Sequence, residues 1–437
     1  MSAGHHLTLD TIVSLCKRRG FVYQTAEIYG GLNGVYDSGH LGSLMRDNIK
    51  QAWKDSLLDA QEAIVFLDGS LLAPPAVWQA SGHAEHFNDP MVDCLVCHHR
   101  YRTDEIDLAK ACPHCGNKKW SESRQFNMMF KTHVGAAADT TTAAYLRPET
   151  AQSIFINFKN VISTARVKIP FGIAQIGKAF RNEITPKQFL FRLREFEQME
   201  IEWFCKAQDA PHFFDMWVHA RRNFYTMLGI NSDKIRERTH KEDELAHYST
   251  RCIDIEYEFP FGWKELEGIA HRGNFDLTQH STHSGKDLQV YDEETKTSYV
   301  PDVVECSVGV DRLFLTLLCD AYHEDTVEGE SRIVLKLNPR IAPIKAAFLP
   351  LTKKQVEPMK TLYDQLKRRY SVQFDESGSI GKRYRRQDEI GTPLCFTYDF
   401  ESETDGMVTV RNRDTLVQER ISIGHIENYI TKTVTSR

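Results

Sequence analysis

The strongest constraint in this chain is a pair of cysteine pairs. Cys94-x-x-Cys97 and Cys112-x-x-Cys115 stand fourteen residues apart. This is close to a standard spacing for a tetrahedral zinc site with four thiolate ligands. Gly116 and Asn117 suit the tight turn that follows such a pair, and His98, His99 and His114 are weaker alternatives as ligands. Four protein ligands leave no open position for water, so the site is expected to be structural. The stretch from about His83 to Gln125 is rich in cysteine, histidine and turn residues, and reads as an inserted module. The other six of the ten cysteines are scattered, a pattern that favours metal binding over disulfides.

At 437 residues the chain is long for one core, so two or three domains are expected. Its net charge of -6 argues against nucleic-acid binding through overall charge, though not against a local basic face. No run of about 18 apolar residues occurs, so no membrane span is expected. Met1 to Asp10 lacks a basic region followed by an apolar stretch, so a cytoplasmic location is expected.

Leu7 to Arg19 is helix-like, with Leu7, Ile12, Leu15 and Cys16 near one face. A glycine-rich turn, Gly30 to Gly42, precedes a second expected helix, Ser43 to Gln61. Gly172–Phe180, Glu197–Phe204, Arg251–Phe259 and Trp263–Ala270 read as strands. Asp209–Ala246 is acidic and favours helix, and Val310–Ala321 reads as a buried helix after a strand. Pro339 and Pro343 mark a linker. Beyond it, Lys345–Leu351, Lys353–Tyr370, Val372–Phe374 and Leu394–Asp399 alternate strand and helix, which suggests a small α/β domain.

Two short strings carry chemistry. In Phe180-Arg181-Asn182-Glu183, residues two apart on a strand share a face. Arg181 there can hold a phosphate and a carboxylate, and Glu183 can accept from an exocyclic amine. Arg192-x-x-x-Phe196 follows, an arginine for a γ-phosphate and a ring for a base. The second string, Gly309-Val310-Asp311-Arg312, opens an apolar helix, with glycine permitting close approach and arginine reaching a phosphate. Each string alone is as readily a local salt bridge or cap.

Together they resemble motifs 2 and 3 of the class II aminoacyl-tRNA synthetases, and more closely the glycyl enzymes of the dimeric type. Ala26 to Gly34, Leu146 to Gln152, Phe180 to Glu202, Gly268 to Leu277 and Gly378 to Glu389 are similar to that family's words, in family order. The resemblance implies an α+β fold: a central antiparallel sheet with flanking helices, a zinc-binding insertion and a C-terminal α/β anticodon-binding domain. It implies a catalytic domain over 1–337, with the zinc insertion at about 84–125 and a helical insertion at about 206–248. The anticodon-binding domain would span 338–437. A homodimer through the region near Gly30–Trp53 is also implied.

By the same resemblance, ATP with Mg2+ would lie against Arg181, Asn182, Glu183, Phe191, Arg192, Phe196, Glu265, Leu266, Gly309 and Arg312. Phe196 would stack on adenine, and Arg181 would bridge the α-phosphate and the glycine carboxylate. Arg181, Glu183 and Arg312 would be catalytic. Glycine would be held by Glu149, Glu200 and Glu305 with Ser307, beside Phe196 and Gly309, with Arg102 and Arg272 as cationic contacts. The implied activity is ligation of glycine to the 3' end of tRNA(Gly), without an editing domain, since competing amino acids are larger.

Lys382, Arg383, Arg385 and Arg386 crowd five residues, and Arg411 and Arg413 add to an expected basic face. In an anticodon-binding module these would hold tRNA phosphates, with Tyr384 as a stacking partner.

Three positions depart from the family words. His40 stands where a proline is usual, and the loss is expected to loosen that turn. Ser153 replaces a glycine and Cys306 a proline, both expected close to the glycine pocket. They keep open a class II enzyme for alanine or serine, or a tRNA- or protein-binding relative that does not charge.

Overall fold

The computed structural model describes residues 7–60, 63–136, 142–246, 248–327 and 329–435. The chain begins with helix α1 (Leu9–Arg19), closed at its start by the Thr8 side chain. It ends at Gly20 in the left-handed conformation, where glycine carries no steric cost. Helix α2 (His40–Ala60) follows; the expected end at Gln61 lies outside the described residues. The turn between them is held by backbone contact. A β-carbon on Gly42 would stand 1.9 Å from the Phe21 carbonyl oxygen, and one on Gly39 would stand 2.2 Å from that of Gly20. His40 is the first residue of α2, a position whose N–H a proline would not miss. The close packing of these two glycines against the backbone fixes the turn, and they are the residues that cannot vary.

The main sheet has seven strands: β1 (Ile64–Phe66), β2 (Phe171–Phe180), β3 (Glu195–Cys205), β4 (Ile235–Thr239), β5 (Arg251–Phe259), β6 (Gly262–Gly273) and β7 (Asp302–Gly309). Their order is β4-β5-β6-β7-β3-β2-β1, antiparallel except for the β1–β2 pair. The strand expectations hold to within a few residues at each end. The stretch Asp209–Ala246 is only half helix. Helix α4 (Ala210–Met227) ends before β4, which joins the sheet edge, because Ile235 is buried and the ladder to β5 pairs Arg236, Glu237 and Arg238.

Helix α3 (Ala151–Ala165) and helix α5 (Phe275–Ser284) pack on one side through Phe155, Phe158 and Leu277. On the other side lies α6 (Val310–Ala321), apolar nearly all round and buried, with Leu313, Phe314, Leu317 and Leu318 in the core shared with α1 and α2. Each such side chain contributes about 1.5–3 kcal/mol on burial. The cysteine module is separate from the main sheet: Asn88–Asp93, Arg100–Arg102 and Arg124–Asn127 make their own three-stranded sheet.

The C-terminal part is a five-stranded sheet of β8 (Ala346–Pro350), β9 (Val372–Phe374), β10 (Leu394–Tyr398), β11 (Met407–Asn412) and β12 (Gln418–Ser422). The order is β9-β8-β10-β11-β12, parallel at β8–β9 and β8–β10. Helices α7 (Val356–Leu366), α8 (Ile380–Ile390) and α9 (Ile426–Thr435) accompany it. The linker marked by Pro339 and Pro343 is packed, not loose. Ile341 and Ala342 are fully buried, and the Lys345 ammonium donates to the carbonyls of Pro339, Arg340 and Ala342 at 3.1, 2.7 and 2.8 Å. No helix among the described residues is long and apolar enough to cross a membrane.

Candidate active site

Alternation along the strands aims one face of β3, β6 and β7 at a cavity of about 390 Å³. The ladders set Gln198 opposite Gly309, Glu200 opposite Ser307, and Ser307 opposite Gly268. Gly268 and Gly309 leave the floor bare, so a ligand can lie against the backbone.

One end of the cavity is acidic. Glu149, at the approach to α3, pairs with His83 at 3.1 Å and accepts from the Gln152 amide at 3.0 Å. Burial, the largest single influence, would push its carboxyl up, but His83, Arg272 and the Gln152 hydrogen bond together hold it well below the usual range. Glu200 accepts from the Thr150 hydroxyl. Burial, then the neighbouring Glu305 and Glu149, push its carboxyl up to about 8. Glu305 is also raised, by burial first, against the pull of Arg272. This end attracts a cation strongly, having more carboxyl groups than positive partners.

The other end is basic and aromatic. The Arg181 guanidinium lies between Phe87 and Phe196, 5.4 and 5.3 Å from the ring centroids, and donates to the Pro148 carbonyl at 3.0 Å. Arg312 pairs with Glu265 at 3.1 Å and lies 4.5 Å over the Phe191 ring. That arginine holds the Glu265 carboxyl below its usual value. Burial raises Glu183 despite Arg192 and Arg181. Arg46 of α2 pairs with Asp311, whose other oxygen accepts from the Glu197 amide at 3.0 Å, tying α2, β3 and α6 together at the cavity wall.

Residues 343–433 match the family model described as an anticodon binding domain. Over nearly the whole chain, the sequence is similar to curated relatives. A glycine–tRNA ligase of Geobacillus thermodenitrificans is 49% identical, over 98% of each chain. One from Caldanaerobacter subterraneus is 49% identical over 97% of this chain and 98% of its own. One from Geobacillus kaustophilus is 48% identical over 98% of this chain and 99% of its own. The chain belongs to the glycine–tRNA ligase family.

For a glycine–tRNA ligase family member, the placement of the expected residues is informative. Arg102, Glu149, Arg181, Glu183, Phe191, Arg192, Phe196, Glu200, Glu265, Leu266, Glu305, Ser307, Gly309 and Arg312 all line the one cavity. Two do not. Asn182 is off the wall, and its main-chain N–H donates to the Met128 carbonyl at 2.7 Å. Arg272 is buried behind Glu305, spending its donors on Asp276 at 2.8 and 3.0 Å and on Glu305 at 2.5 Å. It is thus no direct cationic contact, because its charge is already shared by two carboxylates. Arg102 reaches the wall while paired with Asp89 and Asp104.

The wall also contains Gln198, Tyr248 and Gly268, which the motif reading passed over. Gln198 was findable, since it shares a strand face with Glu200; Tyr248, whose ring centroid lies 3.8 Å from the Arg272 guanidinium carbon, had no local signal.

Cys306 is not beside the pocket. Its neighbours Glu305 and Ser307 face the cavity, so Cys306 faces the opposite core, where burial raises its thiol strongly. Ser153 also stays off the wall. Its hydroxyl donates to the Thr150 carbonyl and accepts from the Gln175 amide, both at 2.8 Å.

The four cysteines converge. Cys94 and Cys115 sulfurs are 3.6 Å apart, and those of Cys97 and Cys112 are 3.7 Å apart. All four lie within 4.8 Å of one another. Each pair closes a knuckle: the His98 N–H donates to the Cys94 carbonyl at 2.9 Å, and that of Gly116 to Cys112 at 2.8 Å. His98 and Gly116 both take positive φ, of 57° and 72°.

The expected basic face is largely internal. Arg383 is buried and donates to the carbonyls of Gly378 and Pro350. Arg411 and Arg413 are buried as well, on Asp388 and on Gly391 with Leu337. Tyr384 is packed under Arg411 with its hydroxyl on Thr397, so it is not a free stacking ring. Arg386 is half-buried and pairs with Asp375. Lys382 and, in part, Arg385 remain outward.

Proposed function

We propose that the chain activates glycine with ATP and transfers the glycyl group to the 3' end of tRNA(Gly). The observation that carries this is one cavity with carboxylates at one end and arginines with aromatic rings at the other. Glycine has only an ammonium and a carboxylate to grip. Glu149, Glu200, Glu305 and Ser307 take the ammonium, and Arg181 takes the carboxylate and the α-phosphate. Phe196 stacks on adenine while Glu183 accepts from its amine. Arg192 and Arg312 neutralise the departing phosphates, with Phe191, Leu266 and Gly309 shaping the nucleotide site. Arg102 lies at the rim.

A glycine carboxylate oxygen attacks the α-phosphorus in line, and pyrophosphate leaves. A terminal ribose hydroxyl of tRNA then attacks the carbonyl carbon, AMP leaves, and the hydroxyl proton passes to solvent. No covalent enzyme intermediate is needed; positioning and charge neutralisation supply the rate. The Glu265 carboxylate suits a hard cation, so it would hold Mg2+, which adds charge neutralisation on the phosphates.

We read 1–337 as a class II catalytic domain, with a zinc-binding insertion at about 84–125 and a second insertion at about 206–248, and 338–437 as the anticodon-binding domain. The antiparallel main sheet and the separate cysteine-bearing sheet support this division. Four sulfurs around one Zn2+ at about 2.3 Å stand about 3.8 Å apart, close to the spacing seen here. Ile28 and Tyr29, almost fully exposed, support a homodimer through the adjoining Gly30–Trp53 region.

The test is ATP–pyrophosphate exchange with glycine, alanine or serine, without tRNA. Exchange with glycine alone is expected. Exchange with alanine or serine would mean a retuned pocket, and none at all would favour a relative that binds without charging.

A further inference from the structure

Glu202 shares the β3 face of Gln198 and Glu200 and stands opposite Glu305 in the ladder to β7. It is completely buried, and neither carboxyl oxygen has a hydrogen-bond partner among the described residues. Carboxylate oxygens of Glu200, Glu202 and Glu305 lie within 4.8 Å of one another. Glu200 and Glu305 line the cavity and Glu202 does not.

A carboxylate removed from water with no donor is far costlier than a neutral carboxyl. The nearest cation, Arg272, gives its hydrogen bonds to Asp276 and Glu305. A protonated Glu202 would instead be a donor, and the carboxylates of Glu200 and Glu305, within 4.8 Å, are the neighbours that could accept from it after a small side-chain adjustment.

We propose that Glu202 is a positioning residue that keeps its proton at neutral pH and donates it in a hydrogen bond to Glu305. Glu305 is thereby fixed between Arg272 on one side and the ammonium site on the other. Burial, Glu305, Glu200 and Asp276 all push the Glu202 carboxyl well above its ordinary value, and Arg272 opposes them without prevailing. The charge of the acidic end is thus set by fewer ionised groups than it has carboxyls, which lets the cluster exist before substrate arrives. This role rests on the glycine reading above.

The experiment is infrared difference spectroscopy on the full chain with 13C-labelled glutamate, comparing wild type with Glu202→Gln at neutral pH without substrate. The expected result is a protonated-carboxyl carbonyl stretch lost in the variant; loss of an ionised-carboxylate band instead overturns the proposal. Exchange kinetics on Glu202→Gln and Glu202→Leu form the second arm. Gln keeps a donor, so the glycine KM should stay within roughly threefold of wild type. Leu removes it and should raise the glycine KM roughly tenfold, with the ATP KM unchanged in both. Equal effects of the two variants, large or nil, overturn the donor role. A wild type silent with glycine would defeat the glycine reading while the infrared band still decides Glu202.

Discussion

Arg272 Nη1 donates to Glu305 Oε2 at 2.5 Å, and the arginine side chain is essentially inaccessible while the glutamate opens on the cavity. The ion pair therefore joins the buried core to the substrate wall. Removing the arginine leaves two buried carboxylates, Asp276 and Glu305, without their cation. Arg272→Leu should cost about 3–5 kcal/mol of unfolding free energy by denaturant titration. A cost below about 1 kcal/mol would mean that the pair is not the anchor described.

Arg181 makes one backbone hydrogen bond and lies between two rings, so its loss costs little packing. Its proposed work is in the transition state. Arg181→Ala should lower pyrophosphate exchange by about 10²–10³-fold, with a far-ultraviolet circular dichroism spectrum like that of wild type. Near-normal exchange would remove the assigned role.

The acidic end makes stability depend on pH with a definite sign. Glu200 is raised from 4.5 to about 8 in the fold. Between those values the folded state retains a proton that the unfolded chain has released. Its contribution is whole below about 4.5 and is lost as pH rises through about 8. Glu200→Gln cannot titrate. The unfolding free energy of wild type should fall relative to that variant by up to about 1.4 kcal/mol per pH unit in this window. Parallel curves would show that Glu200 ionises normally.

What was legible in the sequence follows from the range of each signal. Strand alternation and the apolar helix Val310–Ala321 are local patterns, and they set the sheet and its buried helix. The cysteine pairs are close in sequence, so their convergence was readable too. Arg383, Arg411 and Arg413 were not: as a string they look like a solvated face, because the groups that bury them come from other elements, such as the Pro350 carbonyl and Asp388. Arg272 misled in the same way, since its role depends on Glu305, 33 positions away, rather than on its own motif. Cavity-lining side chains such as Glu183 and Glu200 were found where a strand period carried them, Gln198 on the same face being passed over, and partners across the fold were not.

The cysteine cluster lies at the exposed end of its sheet, where Leu95 and Val96 are exposed and Cys115 is at the surface, while Met91 and Val92 of the sheet are buried. A metal there would contribute folding free energy directly. Cys94→Ser should release about one Zn2+ per chain by elemental analysis and lower the melting temperature. Unchanged metal content would end the zinc assignment.

Lys382 is exposed, and Arg385 and Arg386 are both partly so, but Arg386 is engaged by Asp375 at 2.7 Å while Arg385 has only a distant Glu330 as its ion-pair partner; Arg383 is part of the domain's interior. Charge reversal at Lys382 and Arg385 should therefore weaken tRNA binding without touching adenylate formation. Lys382→Glu with Arg385→Glu should raise the tRNA KM roughly tenfold or more at low salt, with a shallower salt dependence and unaltered pyrophosphate exchange. Arg383→Ala should instead lower stability by about 1–3 kcal/mol, because the carbonyls of Gly378 and Pro350 lose their donor in a buried setting. If the double reversal left tRNA charging untouched at every salt concentration, α8 would be a structural helix and the anticodon would have to be read from another face of the domain.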